Sequence, residues 1–323
     1  MKKLNTVFLS AILAMCAMNL HAQSDWPTKP VVLIVPFPPG GGTDAFARPL
    51  TVQLSKQLGH QVIIDNRGGA GGTIGASAAA RATGDGYTFL IGAVHHAIAP
   101  SVYASLDYNL ERDLIPVTSL AHVPQVVVVN PQKIKAGSLR EFVTQVQKEP
   151  GRITFGSAGS GTSHHLAGEL FQIVIGAKMI HVPYKGAGPA LTDLIGGQID
   201  SMFDGLGSSA AHIRGGKLKA LAVAGSKRAE AFPDLPTTAE AGLPAFAVST
   251  WYGIWAPRAT PRAITDRMQR EVALFLGTPE TRDIWFNQGA SAGGESPANF
   301  AAFVRAEVER WAKIAKQSGA KAD

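Results

Sequence analysis

Cysteine is nearly missing: the 323 residues contain one, Cys16. It lies in an N-terminal stretch that reads as an export signal, so residues 23–323 carry none. Thiol nucleophiles, disulfides and cysteine metal sites are excluded together. Aromatic residues make up only 7% of the chain and do not interleave with arginines, and no block of five or more basic residues occurs. A nucleic-acid surface is therefore not expected. Charge is also mild. Thirty Lys and Arg against 24 Asp and Glu give +6, or +4 once Lys2 and Lys3 leave with the signal. The phosphate-binding pattern G-x-x-x-x-G-K-[ST] and the zinc patterns H-x-x-x-H and H-E-x-x-H do not occur, and neither Ser157 nor Ser160 is flanked by glycines at the spacing of the nucleophile elbow G-x-S-x-G. What is present is an ordinary globular composition, 46% hydrophobic and 17% charged.

Residues 1–22 open with Lys2 and Lys3, continue through an apolar stretch at 7–18 and end in Leu20-His21-Ala22. This is the order of a secretory signal peptide, with cleavage expected before Gln23 and export of the mature chain. The apolar core is shorter than the ~20 residues of a spanning helix. Met15 before Cys16 is too bulky for a lipidation site, so Cys16 reads as signal-peptide filler.

Along the rest of the chain, Val31–Val35 is an all-apolar, β-branched run closed by prolines and glycines. A helical stretch at 45–58 follows, with Phe46, Leu50 and Leu54 four apart. The pattern repeats as a strand at 61–64, a Gly-rich turn at 68–72, a helix at 74–82 and a strand at 88–91. A second set of strands is expected at 126–129, 153–156, 179–182, 201–203 and 218–224, with helices between. Such alternation predicts parallel sheets covered by helices, in two α/β halves. A long strand at 246–256 and a final helix at 298–316, striped with Phe303, Val304, Val308, Trp311 and Ile314, then return to the first half. The expected domains are 23–123 plus 227–323, and 124–226. Two crossings make a hinge, and hinged α/β halves bind ligands in the cleft between them.

Two loops stand where such a cleft would be. Residues 36–44, Pro-Phe-Pro-Pro-Gly-Gly-Gly-Thr-Asp, join a strand to a helix start, where free amides and the helix dipole favour an anion. Residues 156–162, Gly-Ser-Ala-Gly-Ser-Gly-Thr, do the same in the second half, with Thr162 or Ser163 placed to cap the helix. Gly40 to Ala45 satisfies the loose dinucleotide pattern G-x-G-x-x-G/A, with Asp65 at the expected distance, but three prolines crowd the turn. No cofactor is expected. The pairs His95-His96 and His164-His165 cannot chelate one metal as neighbours on an element, although one ring of a pair can reach the cleft. Asp44 and Asp204 could serve as acid and base, yet nothing assembles a reaction, and no metal or catalytic set is assigned.

The residues then become recognisable. Trp26-Pro27-x-Lys29-Pro30, Val35-Pro36-Phe37 with Pro39-Gly40-Gly41-x-Thr43-Asp44, and Asp65-Asn66-Arg67-x-Gly69-Ala70-Gly71-Gly72 come first. Gly156-Ser157-Ala158-Gly159 leads on to His165-Leu166-Ala167-Gly168-Glu169-Leu170-Phe171, and then to Val182-Pro183-Tyr184-Lys185-Gly186. Pro233-x-Leu235-Pro236-Thr237 with Glu240-Ala241-Gly242 completes the set. Together, and in this order, they resemble the periplasmic solute-binding proteins of tripartite tricarboxylate transporters, the Bug family, over essentially the whole chain. The resemblance implies a two-domain periplasmic-binding-protein clamshell, a Venus flytrap in which each domain is a sheet flanked by helices and the ligand cleft lies between. It implies a monomeric binding protein, not an enzyme, that passes a small organic carboxylate to the large and small subunits of a two-component inner-membrane permease.

Carried over by position, the amides near Gly40, Gly41, Gly42 and Thr43 take a carboxylate, with Phe37 beside them and Asp44 ordering water or an amine. Ser157, Ser160, Gly161 and Thr162 take the same or a second polar end. His95, Asp204 and, at the rim, Lys185 complete the expected ligand-binding set, and Trp251 or Tyr252 could stack an aromatic ring. Two other functions remain open from the sequence. The closed protein could report to a membrane signalling partner, or Ser157 or Ser160 could serve an exported hydrolase.

Overall fold

The computed structural model describes residues 26–322; the signal peptide, its cleavage point and Cys16 lie outside them. Strand β1 (Val31–Val35) forms where the sequence is all apolar and β-branched, and it pairs in parallel with β2 (Val62–Asn66) and β3 (Thr88–Ala93). Between β1 and β2 runs α1 (Gly42–Leu58), whose Phe46, Leu50 and Leu54 are fully buried against the sheet. The helix starts three residues before the expected position, so Gly42 and Thr43 belong to its first turn. A short helix α2 (Thr73–Ala80) precedes β3, and α3 (His95–Val102) and α4 (Leu110–Asp113) follow it.

Strand β4 (Leu114–Val129) is 16 residues long, and only its last quarter was expected. Its first part, up to Pro124, pairs with β9 (Ser249–Pro257) in the first sheet. From Gln125 onward it pairs with β7 (Ser201–Gly205) and β8 (Lys219–Val223) in the second. Between β4 and β9 the chain builds the second half: α5 (Leu139–Lys148), β5 (Thr154–Ser157), α6 (Ser163–Ile175), β6 (Ile180–Pro183), α7 (Ala187–Ile195), β7, α8 (Leu206–Arg214) and β8. Here β5 pairs in parallel with β6 and β7. Both sheets are thus mixed: parallel where strand, loop and helix alternate, antiparallel at the strands that cross between them. The first sheet runs β2-β1-β3-β9-β4, and the second continues from β4 through β7 and β5 to β6.

The crossing is knotted together by backbone bonds. Gln125 N–H donates to the Val248 carbonyl at 3.2 Å, Val248 N–H to Ala224 at 2.9 Å, and Ala224 N–H to Gln125 at 2.7 Å. The segment after β8, expected with the first half from residue 227, instead packs on the second. Thr238 N–H donates to the Val223 carbonyl of β8, Arg214 of α8 lies over the Phe232 ring, and Phe246 sits edge-on to Phe171 and Phe203.

Helices α9 (Arg262–Leu276) and α10 (Pro279–Asn287), the two-residue β10 (Ser291–Ala292) and α11 (Pro297–Ser318) close the first half. The buried stripe of α11 is Phe300, Val304, Glu307, Trp311 and Ala315, so of the expected set only Val304 and Trp311 face fully inward. Glu307 is tolerated there because the indole N–H groups of Trp251 and Trp311 donate to it at 2.8 and 3.1 Å, and Arg310 pairs with it.

Candidate functional site

The loops that follow the parallel strands β1, β3, β5 and β6 converge on one enclosed cavity of about 30 Å3. Phe37, Gly41, Gly42 and Thr43 line it from the β1 loop and the start of α1. Ala93 and His95 come from the end of β3, Ala158, Thr162, Ser163 and His164 from the β5–α6 turn, Ala187 from the start of α7, and Thr250 and Tyr252 from β9. A larger groove of about 730 Å3 lies behind the crossing, lined by Pro124, Ala224, Arg228, Arg282 and Phe286 among others. No parallel strand ends there. The smaller cavity is the candidate site because the helix starts and strand ends of both halves face it.

Its electrostatics come from backbone. Helices α1, α6 and α7 begin at the wall, at Gly41, Thr162 and Gly186, and none has a side-chain cap; α3, which brings His95, is also uncapped. Of the other helices α4, α5, α10 and α11 are capped by Asn109, Ser138, Thr278 and Ser296, whereas α2, α8 and α9 are uncapped. First-turn amides of the converging helices therefore retain their donors, and their dipoles place positive potential on the cavity. No lysine or arginine lines it. The expected cap at Thr162 does not form, because its hydroxyl donates to the Gly159 carbonyl at 2.7 Å.

Gly42 shows why the loop is glycine-rich. A Cβ there would collide with the Tyr252 hydroxyl. Asp44, expected to meet the ligand or a water, is instead turned back into its own loop. It is 3% exposed, accepts the Gly40 amide at 3.0 Å, and takes Arg48 on both oxygens at 2.7 and 3.0 Å. Asn66 donates to the Phe37 carbonyl at 2.8 Å. Together they fix the loop that presents Gly41 to Thr43.

His95 lies edge-on to Phe37, with ring centroids 4.7 Å apart. Its Nε2 is 3.1 Å from His96 Nε2, and His96 Nδ1 is 3.2 Å from the Tyr108 hydroxyl. Burial, then His96 and His164 nearby, pushes the His95 imidazolium well below the usual histidine range, and burial takes His96 down to about 3. Both rings are neutral at pH 7. Burial and then Asp204 push the Tyr252 phenol up, so it stays protonated as a potential donor.

Several expected residues are not at the cavity. Gly40 packs instead near Gly188 of α7. Ser160 uses its carbonyl to accept the Tyr103 hydroxyl at 3.2 Å. Gly161 is pressed against Val102, Tyr103 and Ala322 and donates to His165 Nδ1 at 3.1 Å. Lys185 is exposed on the β6–α7 loop. Asp204 sits behind His164, fully buried. Trp251 points away from the cavity to Glu307, while Tyr252, its neighbour on β9, points in.

Ser157 Oγ lies 2.6 Å from His181 Nε2, the one serine–histidine contact among the described residues that resembles a nucleophile and its base. Ser157 is fully buried and outside the cavity lining, and burial with His165 stacked alongside lowers His181 to about 3. A base so weak does not activate a hydroxyl near neutrality. Among the described residues no group of three His, Cys, Asp or Glu side chains could hold a metal ion.

Sequence reasoning missed Ala93, Ala187 and Thr250; it had Ala158 only inside the second glycine loop, Ser163 only as a possible helix cap, and His164 only in a pair of which one ring could reach the cleft. Ala187 alone carried a local signal, as the first residue after the Tyr184-Lys185-Gly186 turn.

Residues 46–320 match the family model described as the tripartite tricarboxylate transporter family receptor. The chain belongs to this receptor family. The protein BugT of Bordetella pertussis is 39% identical over 298 residues, spanning 92% of this chain and 91% of BugT. Rpa4515 of R. palustris, solved with adipate, superposes with a TM-score of 0.89 at 37% identity, covering 92% of this chain and 99% of that one. MatC of Rhodopseudomonas palustris, solved with malate, gives a TM-score of 0.85 at 33% identity, covering 90% and 99%. The fold of this receptor is the two-domain clamshell of periplasmic binding proteins, and the cavity lies between its lobes.

Proposed function

We propose that this receptor captures a small organic carboxylate in the cavity between its lobes and delivers it to a two-component membrane permease, without catalysing a reaction. The observation that carries this reading is the convergence of uncapped helix starts, α1 from one lobe and α6 and α7 from the other, on a cavity with no basic side chain. Backbone amides recognise a carboxylate without a counter-ion, and donors from both lobes make binding and closure one event. Adipate and malate in Rpa4515 and MatC support the ligand class. The family description supports the permease as destination.

In this reading the lobes divide where β4 changes sheets, at Pro124–Gln125, and where the chain returns before β9. The motion is a bend at those crossings. Phe37, Gly41, Gly42, Thr43, His95 and Thr162 are the ligand-facing members of the expected set, with Ser163, His164, Ala187 and Tyr252 added. Residues 1–22 direct export, and cleavage before Gln23 releases a monomeric periplasmic protein.

The test is a thermal-shift screen of mono- and dicarboxylates, adipate and malate included. A ligand at a hundredfold excess over its Kd stabilises the folded protein by about 2.7 kcal/mol. A rise of several degrees with at least one acid is expected. A melting temperature that no acid moves overturns the reading.

A further inference from the structure

The second-lobe wall contains two buried polar atoms that the protein leaves without hydrogen bonds. Asp204, at the end of β7, is fully buried. Its Oδ2 accepts the hydroxyls of Ser208 and Ser209 at 2.7 and 2.6 Å, but Oδ1 has no hydrogen-bond partner. That oxygen stands 3.3 Å from His164 Nε2, within ion-pair distance though poorly aligned. His164 lines the cavity, and its other nitrogen, Nδ1, is also buried without a partner. A buried polar atom left unpaired costs about 1–3 kcal/mol, so two side by side at a ligand cavity call for a partner that completes them. His164 lines the site already described, and Asp204 lies directly behind it.

Their chemistry is specific. A carboxylate oxygen only accepts, so Asp204 Oδ1 favours the tautomer with its proton on Nε2 of the facing His164 ring. In that tautomer Nδ1 carries a lone pair. The amides at the starts of α1, α6 and α7 are donors, whereas this wall offers acceptors. A simple carboxylate satisfies the first set and leaves the second orphaned.

We infer that the ligand is a hydroxy-carboxylate, with its carboxylate on the helix-start amides and its hydroxyl donating to His164 Nδ1, a nitrogen oriented by Asp204. This rests on the carboxylate reading above and narrows it. Asp204 acts through His164 as a positioning residue. If His164 instead carried protons on both nitrogens, Nδ1 would donate, and a hydroxyl would give no advantage over a second carboxylate.

Isothermal titration of the full chain with acid pairs that differ only by the hydroxyl decides between these. The pairs are lactate and propionate, malate and succinate, and 2-hydroxyglutarate and glutarate, with adipate as a further carboxylate. In the pair that fits the cavity length, the hydroxy acid is expected to bind at least about tenfold more tightly. His164→Leu should bring it down to its partner's affinity, and His164→Asn, whose amide oxygen lies near the former Nδ1, should retain part of the preference. Hydroxy and plain acids that bind equally well, or binding of adipate alone, overturn the hydroxyl assignment and leave the carboxylate reading standing. Binding of none of them overturns both. The wild-type comparison is decisive even if a variant does not fold.

Discussion

The Tyr103 hydroxyl, on the first lobe just past α3, donates a 3.2 Å hydrogen bond to the Ser160 carbonyl on the second. The bond ties the two halves of the chain together directly. An intramolecular hydrogen bond contributes about 0.5–1.5 kcal/mol net. Tyr103→Phe should therefore weaken carboxylate binding roughly two- to tenfold, mainly through faster ligand release. Stopped-flow dissociation rates check this, and an unchanged off-rate would show that the bond does not bias closure.

A second interlobe contact is steric. A Cβ at Gly188, in the first turn of α7, would meet the Pro39 carbonyl and the backbone of Gly40 across the cleft. Neither neighbour is a flexible side chain that can move aside. Gly188→Val should leave the unliganded melting temperature near that of wild type while lowering affinity for an acid that stabilises the wild type by at least about tenfold. Wild-type affinity in this variant would place closure elsewhere.

The histidines set a pH limit. His96 is fully buried and titrates at about 3, because burial penalises its charged form. The unfolded chain binds that proton below about pH 6.5 and the folded chain does not, so stability is complete above 6.5 and falls as pH drops from 6.5 towards 3. At pH 5 the loss from His96 alone is about 2 kcal/mol, ~1.5 pH units at ~1.4 kcal/mol each. His95, His165 and His181, all lowered first by burial, act in the same direction. Urea unfolding at pH 7.5 and pH 5 measures the difference, and His96→Gln should remove His96's share of it. Equal stability at both pH values would contradict neutral burial of these rings.

Much of the fold was legible because its signals are local. Val31–Val35 is a strand in sequence and in structure, and the glycine loops after β1 and β5 mark both lobes' contributions to the cavity. The first part of β4 was not legible. Pro116, Thr118, Ser119 and Pro124 interrupt its apolar run, and the strand accommodates them through register shifts against β9, which no local pattern encodes. The site divides in the same way. Gly41 to Thr43 follow from turn chemistry. Asp44 looked like a ligand group because an acid beside a glycine loop has two outlets, and only the fold shows that Gly40 and Arg48 take both of its oxygens. His164 and Tyr252 reach the cavity only after the second lobe folds over the first, a relationship between residues some ninety positions apart in the chain.

The shared strand β4 bears on how the molecule comes apart. Its residues up to Pro124 are bonded to β9, and those from Gln125 onward to β7 and β8. Melting of either lobe therefore frees one end of a strand that the other lobe still holds, and the unfolding of the two is coupled through one continuous backbone.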